Sequence, residues 1–196
     1  MSFANKGSLS ENVSSWKHKL RVKRRYDATA CIYDERYTDE QERKYRAALA
    51  DVFTTGLVLD VGCGTGLFFG HISPKAGEVV GVDLSLKLLC RARERAKAFT
   101  NVSLVQADAD HLPFVDSKFN AVFAFTVLQN LPKPSKTLRE IHRAAQKGST
   151  VVVTGLKKSF SITLLEQLLK EAGLRVGFVK DDEGLACYVL QALKEG

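Results

Sequence analysis

The stretch Leu57-Val58-Leu59-Asp60-Val61-Gly62-Cys63-Gly64-Thr65-Gly66 constrains the fold more than any other part of the chain. Aliphatic and β-branched residues run without a polar break up to Asp60, the pattern of a buried strand. Glycines at 62, 64 and 66 remove Cβ atoms where the backbone must turn sharply and approach a ligand. A helix is expected from near Leu67, with its free N–H groups pointed at that ligand. Strand, turn and helix form the opening unit of an α/β sheet.

Dinucleotide folds use a similar turn, so the turn alone does not name a ligand. Asp60 discriminates. A carboxylate two positions before the first glycine would repel a pyrophosphate. It favours positive charge at that place, such as the ammonium group of S-adenosylmethionine (SAM). The stretch resembles motif I of the class I SAM-dependent methyltransferases, an acidic residue followed by x-Gly-x-Gly-x-Gly.

Three more strands agree with that resemblance. Residues 78–85 read as a second strand ending in Asp83, an acid able to accept both ribose hydroxyl protons. Residues 102–110 read as a third strand ending in acids, and the resemblance puts Asp108 opposite the adenine amino group. Residues 120–126 read as a fourth strand whose tip borders the methyl group. The resemblance thus implies SAM as the cofactor, held by Asp60, Gly62, Cys63, Gly64, Gly66, Asp83, Leu84, Asp108, Ala109 and Thr126. Tyr26, Tyr33 and Tyr37 are candidate lid residues or simple core packing. A nicotinamide oxidoreductase is the alternative of a different class, disfavoured by Asp60. A non-catalytic SAM-binding protein is another.

Strands and helices alternate through the rest of the chain. Thr38 reads as an N-cap with Gln41 as its capping-box partner, opening a helix to about Phe53. Helices are expected over 86–99, from Pro134 to a stop at Gly148, and over 162–172. Residues 150–156 read as a fifth strand, and 174–179 with 186–193 as a closing hairpin. The implied fold is α/β and Rossmann-like: a seven-stranded, mostly parallel sheet, helices on both faces, and a C-terminal antiparallel hairpin.

Charge is unevenly spread. The chain carries +7, and residues 1–25 hold seven Lys/Arg against Glu11 alone. These residues read as a basic, flexible arm ahead of a methyltransferase domain at 26–196. An anionic backbone would suit that arm, so RNA (tRNA or rRNA) is the leading acceptor, followed by a small molecule and then a protein side chain. Deleting the arm is expected to spare SAM binding. Some methyltransferases of this size depend on a small activator subunit, and the minimal domain leaves room for one.

Methyl transfer needs an aligned acceptor and, for some acceptors, a base. Thr126, Gln129, Asn130, His111 and Lys157 are the candidates, and none has a sequence partner that defines a role. Asn130-Leu131-Pro132-Lys133 departs from the Asn/Asp-Pro-Pro-Tyr/Phe of amine- and amide-directed families. Cysteines 31, 63, 90 and 187 are scattered and read as reduced, mostly buried thiols, not metal ligands. No long uncharged apolar run and no apolar signal core occur, which points to a cytoplasmic protein away from membranes.

Overall fold

The computed structural model describes residues 5–50, 52 and 55–195, with side chains described from Glu11 onward. Two helices, α1 (Asn5–Thr29) and α2 (Tyr33–Leu49), precede β1 (Leu57–Val61). Then come α3 (Phe69–Ile72), β2 (Glu78–Asp83), α4 (Leu86–Ala96), β3 (Val102–Gln106) and β4 (Phe119–Ala124). A 3₁₀ turn at Leu128–Asn130 leads to α5 (Pro134–Ala144), β5 (Ala145–Leu156), α6 (Ile162–Glu171), β6 (Leu174–Lys180) and β7 (Cys187–Lys194). The strands form one seven-stranded sheet in the order β3-β2-β1-β4-β5-β7-β6. Among the described strands only β7 runs antiparallel, pairing with β5 and β6 as the closing hairpin requires.

Alternation along the central strands divides the core into two layers. Leu59 and Val61 of β1, with Val122 and Ala124 of β4, meet Leu138 and Ile141 of α5 and Leu165 and Leu169 of α6. Val58, Ala121 and Phe123 point the other way, onto Tyr45 and Ala48 of α2, Phe69 and Ile72 of α3, and Leu89 and Ala92 of α4. Strand order reverses between β1 and β4, and in such sheets ligands bind outside the strand ends at that crevice.

Local expectations fail in several places. The helix expected from near Leu67 is only the four-residue α3, starting at Phe69, and β3 ends at Gln106, short of Asp110. The basic segment forms α1, which runs through residues 25 and 26 where a flexible arm and a break are expected. Tertiary partners hold it, chiefly Lys19 on Asp108 and Asp110. Helix α2 begins at Tyr33, so Thr38 is interior and its hydroxyl donates back to the Asp34 carbonyl (2.7 Å) instead of capping. The expected extension to Phe53 falls partly outside the described residues. Helix α5 stops at Ala144 and β5 starts at once, so Gly148 (φ +75°) lies within the strand. The β4–β5 register shifts there, with Phe119 facing Ala145 but Ala121 facing Thr150.

Of the cysteines, 63 and 187 are buried, while 31 and 90 are exposed. Among the described residues no helix is long and apolar enough to cross a membrane.

Candidate active site

The turn after β1 is tied to β2 by its backbone. Gly62 and Cys63 donate their N–H groups to the Val82 carbonyl (2.7 and 2.9 Å), and Gly64 donates to Asp83 Oδ2 (3.0 Å). Asp83 Oδ1 accepts the Ser85 N–H (2.8 Å). Burial pushes the Asp83 carboxyl up, and the N–H groups of Ser85 and Gly64 offset part of that rise. From the other side, Thr65 donates to Asp34 Oδ1 (2.6 Å), and Arg95 spans Asp34 Oδ2 (2.8 Å) and the Thr65 carbonyl.

The three glycines all have positive φ but serve different ends. A Cβ on Gly66 would fall 2.3 Å from the buried Phe69 ring, and one on Gly62 would fall 2.4 Å from Val127. A Cβ on Gly64 would meet none of the described residues within 4 Å. Gly64 is therefore the position where open space reaches the backbone.

Two adjoining cavities meet that turn. One is lined by Gly62, Gly64, Asp83, Leu84, Asp108, Ala109 and Thr126, with Lys19 and Tyr26 of α1 and Tyr33 of α2 across from them. The other, smaller and polar, is lined by Asp60, Cys63, Gly64, Thr65 and Gln41. Every residue expected to contact the cofactor thus lines one or both cavities, except Gly66, which is taken up by packing. Asp60 is 2% exposed, and its Oδ2 has no hydrogen-bond partner among the described residues. Burial, reinforced by the nearby Asp83, pushes its carboxyl up to about 8.

A third cavity of about 720 Å³ shares Tyr26, Tyr33, Thr126 and Asn130 with the first. Thr126, Gln129, Asn130 and Lys157 all line it. His111 does not. It is exposed, with Nε2 2.8 Å from Lys136 Nζ, so the structure removes it from the candidate bases. Lys157 is occupied by Asp181 (2.7 Å) and the Asp182 carbonyl (2.8 Å).

Thr126 sits at the tip of β4 with φ +61°, a conformation that costs a β-branched residue about 1–3 kcal/mol. Its surroundings over-determine it. Its N–H donates to Thr154 Oγ1 (2.8 Å), and its carbonyl accepts from Gln129 Nε2 (2.5 Å) and Asn130 Nδ2 (2.9 Å). Its hydroxyl accepts from Lys44 Nζ (3.1 Å), a lysine only 1% exposed that also pairs with Glu40 (2.6 Å).

Glu40, Gln41 and Lys44 carry no motif that marks them as site residues in the sequence. Their signal is positional. Gln41, Lys44, Tyr45 and Ala48 share the inward face of α2, and polar residues on such a face must find buried partners.

Comparison with known proteins supports the same architecture. Residues 59–153 match the family described as "Methyltransferase domain". The chain is 31% identical to the malonyl-[acyl-carrier protein] O-methyltransferase of a Marinomonas species, covering 76% of this chain and 57% of that protein. It is 35% identical to the phosphatidylethanolamine N-methyltransferase of Cereibacter sphaeroides, covering 67% and 66%. It therefore spans somewhat under two thirds of the length of these curated relatives. Among solved structures, a complex between the Haloferax volcanii Trm112 methyltransferase activator and a methyltransferase superposes with a TM-score of 0.77. The two share 19% identity over 87% of this chain and 98% of the other, a likeness of fold. With motif I at the end of β1, an acid at the tip of β2 and the matched segment 59–153, the chain carries a methyltransferase domain of the class I, SAM-dependent family.

Proposed function

We propose that this protein transfers the methyl group of SAM to an acceptor held in the larger cavity. The observation that carries this reading is the junction of the cavities. Tyr33 and Thr126 form walls of both, so a methyl group presented from one side faces an acceptor on the other.

The residues fit the cofactor. Asp60, buried with an orphaned oxygen, would take the ammonium group; Asp83 would take the ribose hydroxyls, and Asp108 the adenine amino group. Gly64 leaves the backbone bare where the ligand passes. When bound, SAM supplies an electrophilic methyl group whose carrier leaves as a neutral thioether. The protein then needs to align the acceptor and, where the acceptor bears a proton, to receive it. Among the described residues, Glu40 is the one carboxylate lining the acceptor cavity. It is the base in this reading, with Lys44 and Thr126 ordering the wall beside it.

Asp83→Ala is expected to weaken SAM binding by about 1.5–3 kcal/mol, the worth of hydrogen bonds to a charged group. Calorimetry checks it, and wild-type affinity would refute the role. Glu40→Gln is expected to lower kcat by about 10²-fold or more with a proton-bearing acceptor, leaving the SAM dissociation constant unchanged. An unaltered kcat would remove Glu40 from the chemistry.

Arg25, Arg36 and Lys158 line the same cavity and have no acidic partner among the described residues. They favour an acceptor bearing an anionic group. The two relatives are named for malonyl-[acyl-carrier protein] and phosphatidylethanolamine, which supports a small-molecule or lipid acceptor here. RNA (tRNA or rRNA) is the second reading, favoured by the exposed Arg21, Arg24 and Arg25 on α1. A small activator subunit belongs with it, since the Haloferax neighbour is in complex with the Trm112 activator.

Methyl-labelled SAM, incubated with the protein and a cell extract split into RNA, protein and small-molecule fractions, separates the readings. Label among small molecules or lipids supports the first. Label in RNA supports the second. Binding of SAM with no label in any fraction would point to a missing subunit or a protein that does not catalyse.

A further inference from the structure

Lys19 is a buried charge on a helix that otherwise turns most of its cations to solvent. It is 5% exposed, and its Nζ donates to both oxygens of Asp108 (2.7 and 2.8 Å) and to Asp110 Oδ2. Asp110 is itself 3% exposed, and its other oxygen accepts the hydroxyl of the fully buried Thr137 on α5. Burying an ammonium costs several kcal/mol unless carboxylates repay it, so this cluster is either complete or strongly destabilising. One lysine against two aspartates leaves a formal charge of −1 beside the cavity. Asp108 lines that cavity and still has capacity for a further donor.

A second clasp lies eight residues further along α1. Asp27 Oδ1 accepts the Ser85 hydroxyl (2.5 Å), and its Oδ2 accepts from Lys23 (2.6 Å). Burial alone would raise the Asp27 carboxyl, but the bonds from Lys23 and Ser85 outweigh it and hold it down. Ser85 lies two residues past Asp83, and both Ser85 and Asp108 line that cavity. Between the two clasps Val22, Lys23 and Tyr26 roof the cavity.

We propose that Lys19 is a cofactor-positioning residue. It holds Asp108 ready for an adenine amino group and fastens α1 over the adenosine end of SAM, so the cofactor enters and leaves only when the clasp opens. This rests on the reading that the cavity takes SAM. It also reverses the sequence expectation that the N-terminal segment is dispensable for cofactor binding.

The test uses S-adenosylhomocysteine (SAH) and the full chain. Lys19→Met should weaken SAH binding about 10- to 100-fold by calorimetry, Lys19→Arg should recover most of the loss, and Lys17→Met, at an exposed position, should bind as wild type. Saturating SAH should slow tryptic cleavage after Arg24 and Arg25 in the wild-type chain, a measurement that needs no variant to fold. Wild-type affinity in Lys19→Met would overturn the proposal. So would the absence of SAH protection of α1, or an arginine variant as weak as the methionine one with protection unchanged. A wild-type chain that binds no SAH would sink the cofactor reading instead.

Discussion

Asp60→Asn is expected to weaken SAH binding about 10- to 100-fold while raising the melting temperature of the cofactor-free protein at pH 8. Both effects come from one buried carboxylate. Its Oδ2 has no partner among the described residues, and burial together with Asp83 lifts its titration to about 8 in the fold, against 3.8 for the free side chain. The folded protein therefore holds the proton more tightly than the unfolded chain. Its contribution to stability is complete below about pH 4 and is lost as pH rises through about 8.

Asparagine carries no charge to desolvate, so the variant should gain at pH 8 and gain little at pH 5. An ammonium group arriving beside Asp60 reverses the balance by favouring the ionised form. SAH binding to the wild type near pH 7 should therefore release a proton from Asp60, read as a dependence of the calorimetric heat on buffer ionisation enthalpy. The variant should lack that release. If Asp60→Asn binds as tightly as wild type, Asp60 does not meet the ammonium group.

Gly66→Ala should cost about 2–5 kcal/mol of folding stability, the sum of left-handed strain and overpacking. The added methyl would fall 2.3 Å from the Phe69 ring, which is 0% exposed and cannot yield. Gly64→Ala has a similar φ (+57°) but open space before it. It should lose only the strain, about 1–2 kcal/mol, and remain folded while SAH binding falls steeply. Urea unfolding and SAH calorimetry on the two variants separate a packing glycine from one that faces ligand. Equal stability losses would show that the two positions are not divided in this way.

Asp60, the glycines and Asp83 lie within a few residues of the strand ends that position them, which is why their grouping is legible in the sequence. Uninterrupted aliphatic runs mark β1 and β2, and turn residues mark their ends. Helix starts are less legible. Thr38 has the residues of a capping box, yet α2 continues past it toward Tyr33, because Asp34 is held by Thr65 and Arg95. The stop expected at Gly148 fails because the Phe119–Ala145 pairing begins β5 early.

The acceptor side is hidden for a different reason. His111, whose imidazole could serve as a base, ends on the surface, whereas Glu40 reaches the cavity through the placement of α2. By itself, the sequence determined the succession of strands, the glycine turn and the acids at the strand tips. These derive from side-chain periodicity and from glycine geometry, which act over a few residues. Only the tertiary structure decided that Lys19 would meet Asp108, 89 positions away, and that Lys44 would meet Thr126, 82 positions away. Buried charges must be paired wherever the fold happens to bring partners together, and no local pattern records that meeting.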